Sequence, residues 1–550
     1  MAEVMMRKLI AVALAALASA ATATPPLPPP SPPGPPPRLL IVIGIDHLGA
    51  DLLDEYRPHL TGGLARLAGG TAFRNGYQAH ATSETCAGYS TMLTGAHPAR
   101  TGIIANRWHD FSAARSDKAI YCLEDEQVPG STSSKFTLSP VHLKVPTLGE
   151  LLKARSPLSR SVTVAGKDRA AIALGGRADD QRWFWQGGKF ATDLRVARAP
   201  VAVARTNAAV AAMIATPQLP LVAPPHCAAK SRVFQVPGGR EVGSGRFVRD
   251  AGDAAAFRSS PAFDGATLAL SAALIDELKL GADNAPDLLS IGISALDDSG
   301  HDYGPGGQEM CVHLQSIDRD LGDFFRFLDA RGIDYAVALT GDHGGLDIPE
   351  RLRAQRVAGA AWVDPALGAE AVGKTIAVTL KLAGPLLVGG PSGDIYVNGA
   401  VAPADRPRVI AAALTAYRAH PQVEAAFSAA ELSRIVIPVT PPDRWSIAER
   451  VRASFDPRRS GDIYVVLRSH VQPITKPASY VSTHGSPWDY DRRVPILFWR
   501  SGMPASPRDD AVATVNIMPT LAAMLGVPVE PSSIDGKCLA GVSGVACAPR

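Results

Sequence analysis

The chain has 550 residues, 46% of them hydrophobic and 19% charged, with a formal net charge of +3. These values describe a soluble globular protein with at least one large core and exclude a chain disordered throughout. So small a charge, without any Lys/Arg-rich run, gives no reason to propose nucleic acid or another polyanion as a partner.

Arg7 and Lys8 precede an almost wholly apolar stretch at 9–18, and Ala18-Ser19-Ala20 and Ala21-Thr22-Ala23 place small residues where a signal peptidase reads them. The stretch is too short to cross a bilayer comfortably. A signal peptide over 1–23 is therefore expected, with export to the periplasm or beyond and no membrane span after cleavage. Residues 24–37 hold proline at ten of fourteen positions and read as a stiff polyproline II linker. The remainder, 38–550, is expected to be the catalytic domain.

Three short apolar runs then end abruptly in polar residues. The run at 39–45 stops at Asp46, that at 288–293 leads through Ser294 to Asp297, and that at 335–340 stops at Gly341-Asp342-His343. Continuous apolar character suits strands covered on both faces, and between them lie helical patterns such as 311–330. Such alternation predicts an α/β fold, a doubly wound, mostly parallel sheet flanked by helices. In open sheets of this kind functional groups sit just past the carboxyl ends of the strands, where these Asp and His residues fall. Two stretches fit less well, near 170–285 and 360–480, and are expected to be inserted cap or subdomain segments. The hexapeptide Ser-Gly-Asp-Ile-Tyr-Val occurs at 392–397 and again at 460–465. It predicts two similar strands entered from a turn and paired in a second subdomain.

Six cysteines, Cys86, Cys122, Cys227, Cys311, Cys538 and Cys547, allow fifteen pairings. Cys538 with Cys547, closing a short loop, is the one pair expected. No Cys-x-x-Cys occurs, which argues against a structural zinc knuckle.

Asp297 and His301 stand four residues apart, Asp342 and His343 are adjacent, and His484 lies in a polar Ser482-Thr483-His484-Gly485-Ser486 loop. With Asp46 they supply three carboxylates and three imidazoles, donors that zinc accepts while keeping a position open for substrate. The other ten histidines, including His47, His97 and His109, are read as structural or surface residues.

From about residue 38 onward the chain resembles the alkaline phosphatase superfamily, most of all the bacterial PafA-type alkaline phosphatases related to nucleotide pyrophosphatase/phosphodiesterases. The resemblance is carried by Ile43-Gly44-Ile45-Asp46, the stretch 82–95 around Thr85, Gly102-Ile103-Ile104-Ala105-Asn106, Gly166-Lys167-Asp168-Arg169, Asp297-Asp298-Ser299-Gly300-His301, Thr340-Gly341-Asp342-His343-Gly344 and Thr483-His484-Gly485. The stretch 518–526 is similar to the last core helix of that superfamily. No single motif is specific; their order over some 440 residues is.

The resemblance implies a zinc-dependent phosphomonoesterase with two Zn2+ per chain, acting on small-molecule phosphate esters of broad range. Asp297, His301 and His484 would hold one ion, and Asp46, Asp342 and His343 the other beside Thr85. Thr85 would be the nucleophile, itself a metal ligand, and would pass through a phosphothreonine. Lys167, Arg169 and Asn106 would bind the nonbridging phosphate oxygens, two cations suiting a dianionic monoester better than a diester. Tyr89 stands where relatives often carry His and is expected to alter only the floor of the site. A phosphodiesterase or nucleotide pyrophosphatase on the same metals is the alternative, and a binding protein without turnover the reading from another class. A sulfatase is disfavoured, because Cys86-Ala87-Gly88-Tyr89-Ser90 lacks the Pro and Arg of the Cys/Ser-x-Pro-x-Arg signature.

Overall fold

The computed structural model describes residues 35–243, 245–478 and 480–547. The expected signal peptide and the linker up to residue 34 lie outside the described residues. The central sheet has ten strands: β1 (Leu39–Ile45), β2 (Thr71–Tyr77), β3 (Ser161–Ala165), β4 (Gln181–Gln186), β5 (Lys189–Ala191), β6 (Asp287–Ile293), β7 (Tyr335–Gly341), β8 (Arg493–Arg500), β9 (Ser506–Arg508) and β10 (Val512–Ala513). Their order is β9-β2-β8-β7-β1-β6-β3-β4-β5, with β10 also on β2. The middle, β7-β1-β6-β3-β4, is parallel, and β8 runs antiparallel to both β7 and β2, so the sheet is mixed.

Every residue of β1, β6 and β7 is buried, as their unbroken apolar runs require. Ile41, Ile43 and Ile45 face a core shared with helices α3 (Pro261–Leu278) and α5 (Gln308–Ala330), whereas Leu40 and Val42 face the opposite core. That second core is completed by α1 (Thr85–Met92), α2 (Asp168–Gly175) and α6 (Ile517–Leu525). Between β6 and α5 lies α4 (Ala295–Tyr303).

Register decides where the chemistry gathers. Ile45 of β1 stands opposite Ile293 of β6 and Gly341 of β7. The residues that follow, Asp46, Ser294 and Asp342, therefore leave the sheet at one level.

The two expected insertions are used differently. The stretch near 170–285 lends β4 and β5 to the central sheet and α3 to its cover. The stretch near 360–480 builds a separate four-stranded sheet in the order Leu387–Val388, Gly393–Val397, Ile463–Leu467, Val423–Ser428. In it the two copies of the hexapeptide pair antiparallel with each other, Asp394 opposite Tyr464 and Ile395 opposite Ile463. Three disulfides join Cys86 to Cys122, Cys227 to Cys311 and Cys538 to Cys547.

α1 is buried along its whole length and lies against the turn after β7. Gly88 makes that approach possible, since a Cβ there would stand 2.2 Å from the carbonyl oxygen of Asp342. Gly88→Ala must push the helix off the turn; it is expected to cost about 1–3 kcal/mol in urea unfolding and to lower turnover with it.

Candidate active site

Lys167, at the end of β3, is buried and carries an ammonium that lies 2.7 Å from Asp46 Oδ2 and 2.5 Å from Asp297 Oδ2. One cation thus touches a carboxylate from each expected triad. Burial raises Asp46 to about 8, against the pull of Lys167 and with the repulsion of Asp342 and Asp297 added. Burial and Asp297 raise Asp342 to about 7 in the same way. Asp297 is held well below the usual carboxylate range despite burial, because His301 and Lys167 both stabilise its charge.

α4 presents Asp297 and His301 on one face, His301 Nε2 lying 3.4 Å and His484 Nε2 3.6 Å from Asp297 Oδ1. The donor atoms of Asp297, His301 and His484 all lie within 4.8 Å of one another. Each of the three expected histidine ligands rests its Nδ1 on a backbone carbonyl: His301 on Ser482 (2.8 Å), His484 on Ser83 (2.7 Å) and His343 on Gly344 (2.9 Å). Such a bond fixes the tautomer with a proton on Nδ1 and turns the Nε2 lone pair inward. The rings of His343 and His484 stack with centroids 3.4 Å apart. Burial drives both imidazoles well below their ordinary value, so both are neutral.

The second expected triad is arranged less simply. Asp46 turns Oδ2 to Lys167, and Asp342 Oδ1 accepts the backbone N–H of His47 (3.1 Å). The close donor set on this side is His47, Asp297 and His343. Asp46 Oδ1 and Thr85 Oγ1 are nevertheless buried without a hydrogen-bond partner, as are Asp342 Oδ2 and His343 Nε2, which face each other at 3.2 Å. Orphaned acceptors beside neutral imidazoles fit divalent metal ions, which would satisfy them together. A third group, His226 with Cys227 and Cys311, is not available to a metal, because its two sulfurs form a disulfide.

Thr85 opens α1, buried, between Ser83, which holds His484, and Gly88, which lies on Asp342. Its neighbour Cys86 donates its backbone N–H to Asn106 Oδ1 (2.9 Å), and the Asn106 N–H is received by Glu84 Oε2 (2.6 Å). Asn106 is thereby fastened to the start of α1 with its amide NH2 left for another acceptor. The disulfide from Cys86 to Cys122 ties the same turn covalently. Arg169 is half-buried with Nε unpartnered; burial lowers its basicity, but Tyr121, Asp168, Asp46 and Asp297 more than restore it, so the guanidinium stays charged. Tyr89 packs across Gly44 of β1, and burial with the charges of Asp46 and Asp342 holds its phenol well above the ordinary value.

His47 departs from the sequence reading, which left it among the structural histidines. It is buried at the centre, with Nδ1 2.9 Å from Asp297 Oδ1 and its ring 5.6–6.1 Å from those of His301, His343 and His484. Its φ of +67° lies in the left-handed region that non-glycine residues rarely occupy. The one available signal was its position directly after Asp46. Two further supports were missed. Glu84 anchors Asn106, and Asp264 receives the N–H groups of Ser294 and Ala295 (3.0 and 2.9 Å) where α4 begins. Asp264 Oδ2 also meets His313 Nε2 at 3.0 Å, and His313 Nδ1 meets Ser299 Oγ at 2.8 Å, so α4 is pinned at its start and along its buried side.

Residues 40–487 match the type I phosphodiesterase / nucleotide pyrophosphatase family. The chain is 48% identical over 515 residues to the alkaline phosphatase PhoK of Sphingomonas sp, covering 92% of each, and 43% identical over 506 residues to the alkaline phosphatase PhoD of Zymomonas mobilis, covering 91% of this chain and 88% of that protein. The crystal structure of the alkaline phosphatase PafA superposes with a TM-score of 0.78 at 24% identity, covering 90% of this chain and 97% of the other. The chain belongs to the type I phosphodiesterase / nucleotide pyrophosphatase family. Within it the fold is that of the alkaline phosphatase superfamily, and the protein is an enzyme that hydrolyses phosphate esters.

His47 touches Asp297 through its side chain and Asp342 through its backbone, so it sets the spacing of the two carboxylates. His47→Ala is expected to weaken metal binding about 10–100-fold, the usual cost of losing such a support. His47→Asn, which can place an N–H near the position of Nδ1, should retain most of it; metal analysis and a zinc titration of each variant measure this.

Proposed function

We propose that the protein is an exported, zinc-dependent alkaline phosphatase that hydrolyses phosphate monoesters of broad range through a phosphothreonine on Thr85. The observation that carries the reading is the buried, unpartnered Thr85 hydroxyl at the start of α1, set between the His484 and Asp342 contacts. Asp297, His301 and His484 would hold one zinc ion, and Asp46, Asp342 and His343 with Thr85 the other. Bound there, the ions supply Lewis acidity, which lowers the pKa of a bound hydroxyl and stabilises charge on a leaving oxygen.

Thr85 Oγ, having given its proton to solvent, attacks phosphorus; the bond from phosphorus to the alcohol oxygen breaks, and the alcohol recovers a proton from solvent. Water then attacks the phosphothreonine, releasing inorganic phosphate and restoring the threonine hydroxyl. Lys167, Arg169 and the free amide of Asn106 bind the nonbridging oxygens and offset their growing charge. A dianionic terminus rewards both cations, which favours monoesters over diesters. Three disulfides accord with an oxidising compartment outside the cytoplasm, and no described helix is long and apolar enough to cross a membrane.

The alternative, a phosphodiesterase or nucleotide pyrophosphatase on the same metals, is favoured by the family match. Steady-state kinetics on p-nitrophenyl phosphate and its bis-ester separate the two, and a clear preference for the bis-ester overturns the monoesterase reading. Lys167→Ala with Arg169→Ala should lower monoester kcat/KM by on the order of 10³-fold or more and spare diester cleavage. Thr85→Ala should abolish the covalent intermediate and lower kcat by roughly 10⁴-fold or more; full activity in that variant removes the mechanism. EDTA should abolish activity and zinc should restore it.

A further inference from the structure

A cavity of about 350 Å³ opens beside the reaction centre, between the second sheet and the turn that carries His484. His484 belongs to its wall, and so does Glu84, which caps the start of Thr85's helix, so the cavity adjoins both Thr85 and the set that would receive the leaving oxygen. Its volume lies in the range of small-molecule sites. The chemistry of the wall is selective. Tyr396, Tyr464 and Trp488 line it, and the polar end of each is already engaged: Tyr396 Oη donates to Arg459 O (2.8 Å), Tyr464 Oη meets Thr82 Oγ1 (3.0 Å) and Trp488 Nε1 donates to Leu467 O (3.0 Å). What these rings have left to offer is apolar surface.

The carboxylates are the reverse. Asp394 spends Oδ1 on the Gly461 N–H (2.7 Å) and Glu84 spends Oε2 on the Asn106 N–H (2.6 Å), leaving Asp394 Oδ2 and Glu84 Oε1 without a donor among the described residues. Arg107 and Arg468, the cations of the wall, are both exposed and stand at its rim, where they attract an approaching phosphate dianion. An interior of aromatic faces and unspent carboxylate acceptors suits an occupant that has hydroxyl donors around an apolar carbon frame, and Ser392 and Thr483 of the same wall carry hydroxyls that can meet its oxygens.

We infer that this cavity is the leaving-group site and that it is built for hydroxyl-rich alcohols, so that sugar and polyol phosphates are preferred substrates. The inference rests on the phosphomonoesterase reading and adds the substrate class to it. Asp394 is outside the groups that act on phosphorus, so Asp394→Asn, which keeps an acceptor for Gly461, tests the cavity alone; Trp488→Ala tests its apolar face.

The experiment measures kcat/KM of the zinc-loaded wild type and both variants on glucose 6-phosphate, phosphocholine and ethyl phosphate, with the inhibition constant of inorganic phosphate as the reading of the phosphoryl site. Each variant should lose tenfold or more on glucose 6-phosphate, with ethyl phosphate and phosphate inhibition held within twofold. Equal losses on all three esters, no loss at all, or a loss confined to phosphocholine overturns the inference, the last by assigning the carboxylates to a cationic alcohol. If the wild type cleaves only diesters, the monoesterase reading fails by itself, and saturation-transfer NMR with free glucose decides the cavity: a signal that Asp394→Asn removes upholds the site, and no signal in the wild type overturns it.

Discussion

Three carboxylates buried together, two of them on a single buried ammonium, are the constraint on which the rest of the structure turns. Parallel pairing of β7, β1 and β6 in register delivers Asp46, Asp342 and the start of α4 to one edge of the sheet. Two like charges about 4 Å apart repel by roughly 4 kcal/mol at an effective dielectric of 20, and Lys167 offsets only part of that. Burial first, and that repulsion with it, raise Asp46 and Asp342 against the pull of Lys167, and polar atoms nearby, among them Asp46 Oδ1, His47 Nε2 and Thr85 Oγ1, have no hydrogen-bond partner. Such a cluster is costly as a protein core and useful as a cation site. The neutral imidazoles of His343 and His484 add donors without adding charge.

Holding that cluster takes scaffolding that the chemistry alone does not call for. Asp264 neutralises the amino end of α4 with two backbone bonds, and His313 and Ser299 extend the contact into the buried core. Cys86–Cys122 and the Glu84–Asn106–Cys86 bonds fix the start of α1, where a small displacement would carry Thr85 out of reach. These are packing and hydrogen-bond devices, and they share an effect: each stops an element of the Asp and His cluster from relaxing away from its neighbours' charge.

What was legible in the sequence was whatever periodicity and position encode. The apolar runs at 39–45, 288–293 and 335–340 became β1, β6 and β7 within a residue at each end, the helical pattern at 311–330 became most of α5, and the repeated hexapeptide became a pair of adjacent strands. What was hidden depends on backbone geometry or on contacts distant in the chain. His47 owes its place to a left-handed turn after β1, which no spacing reveals, and it reaches a carboxylate 250 residues away. Glu84 and Asp264 look like any helix-start carboxylates until their partners are seen. Residues 181–191 read as part of an insertion because their sequence, Gln181-Arg182-Trp183-Phe184-Trp185-Gln186 with the turn after it, lacks the continuous aliphatic character of the inner strands; at the sheet's edge they do not need it.

Lys167 joins the electrostatics to the chemistry. Buried among acids, it stays protonated, since the attraction of Asp297 and Asp46 outweighs the cost of burying it. A lysine so placed is committed to anions, and which anions it holds depends on what else shares the cluster. Divalent ions on the six Asp and His donors would take over the neutralisation of Asp46 and Asp297, which frees the ammonium for a phosphate oxygen without moving it from the site. Arg169, two residues on along the same turn into α2 and carrying a Nε with no protein partner, would then supply the second cation. On the proposed reading, the same end of β3 would serve the folded protein as a counter-charge and the reaction as an oxyanion clamp, with bound metal ions letting one residue do both.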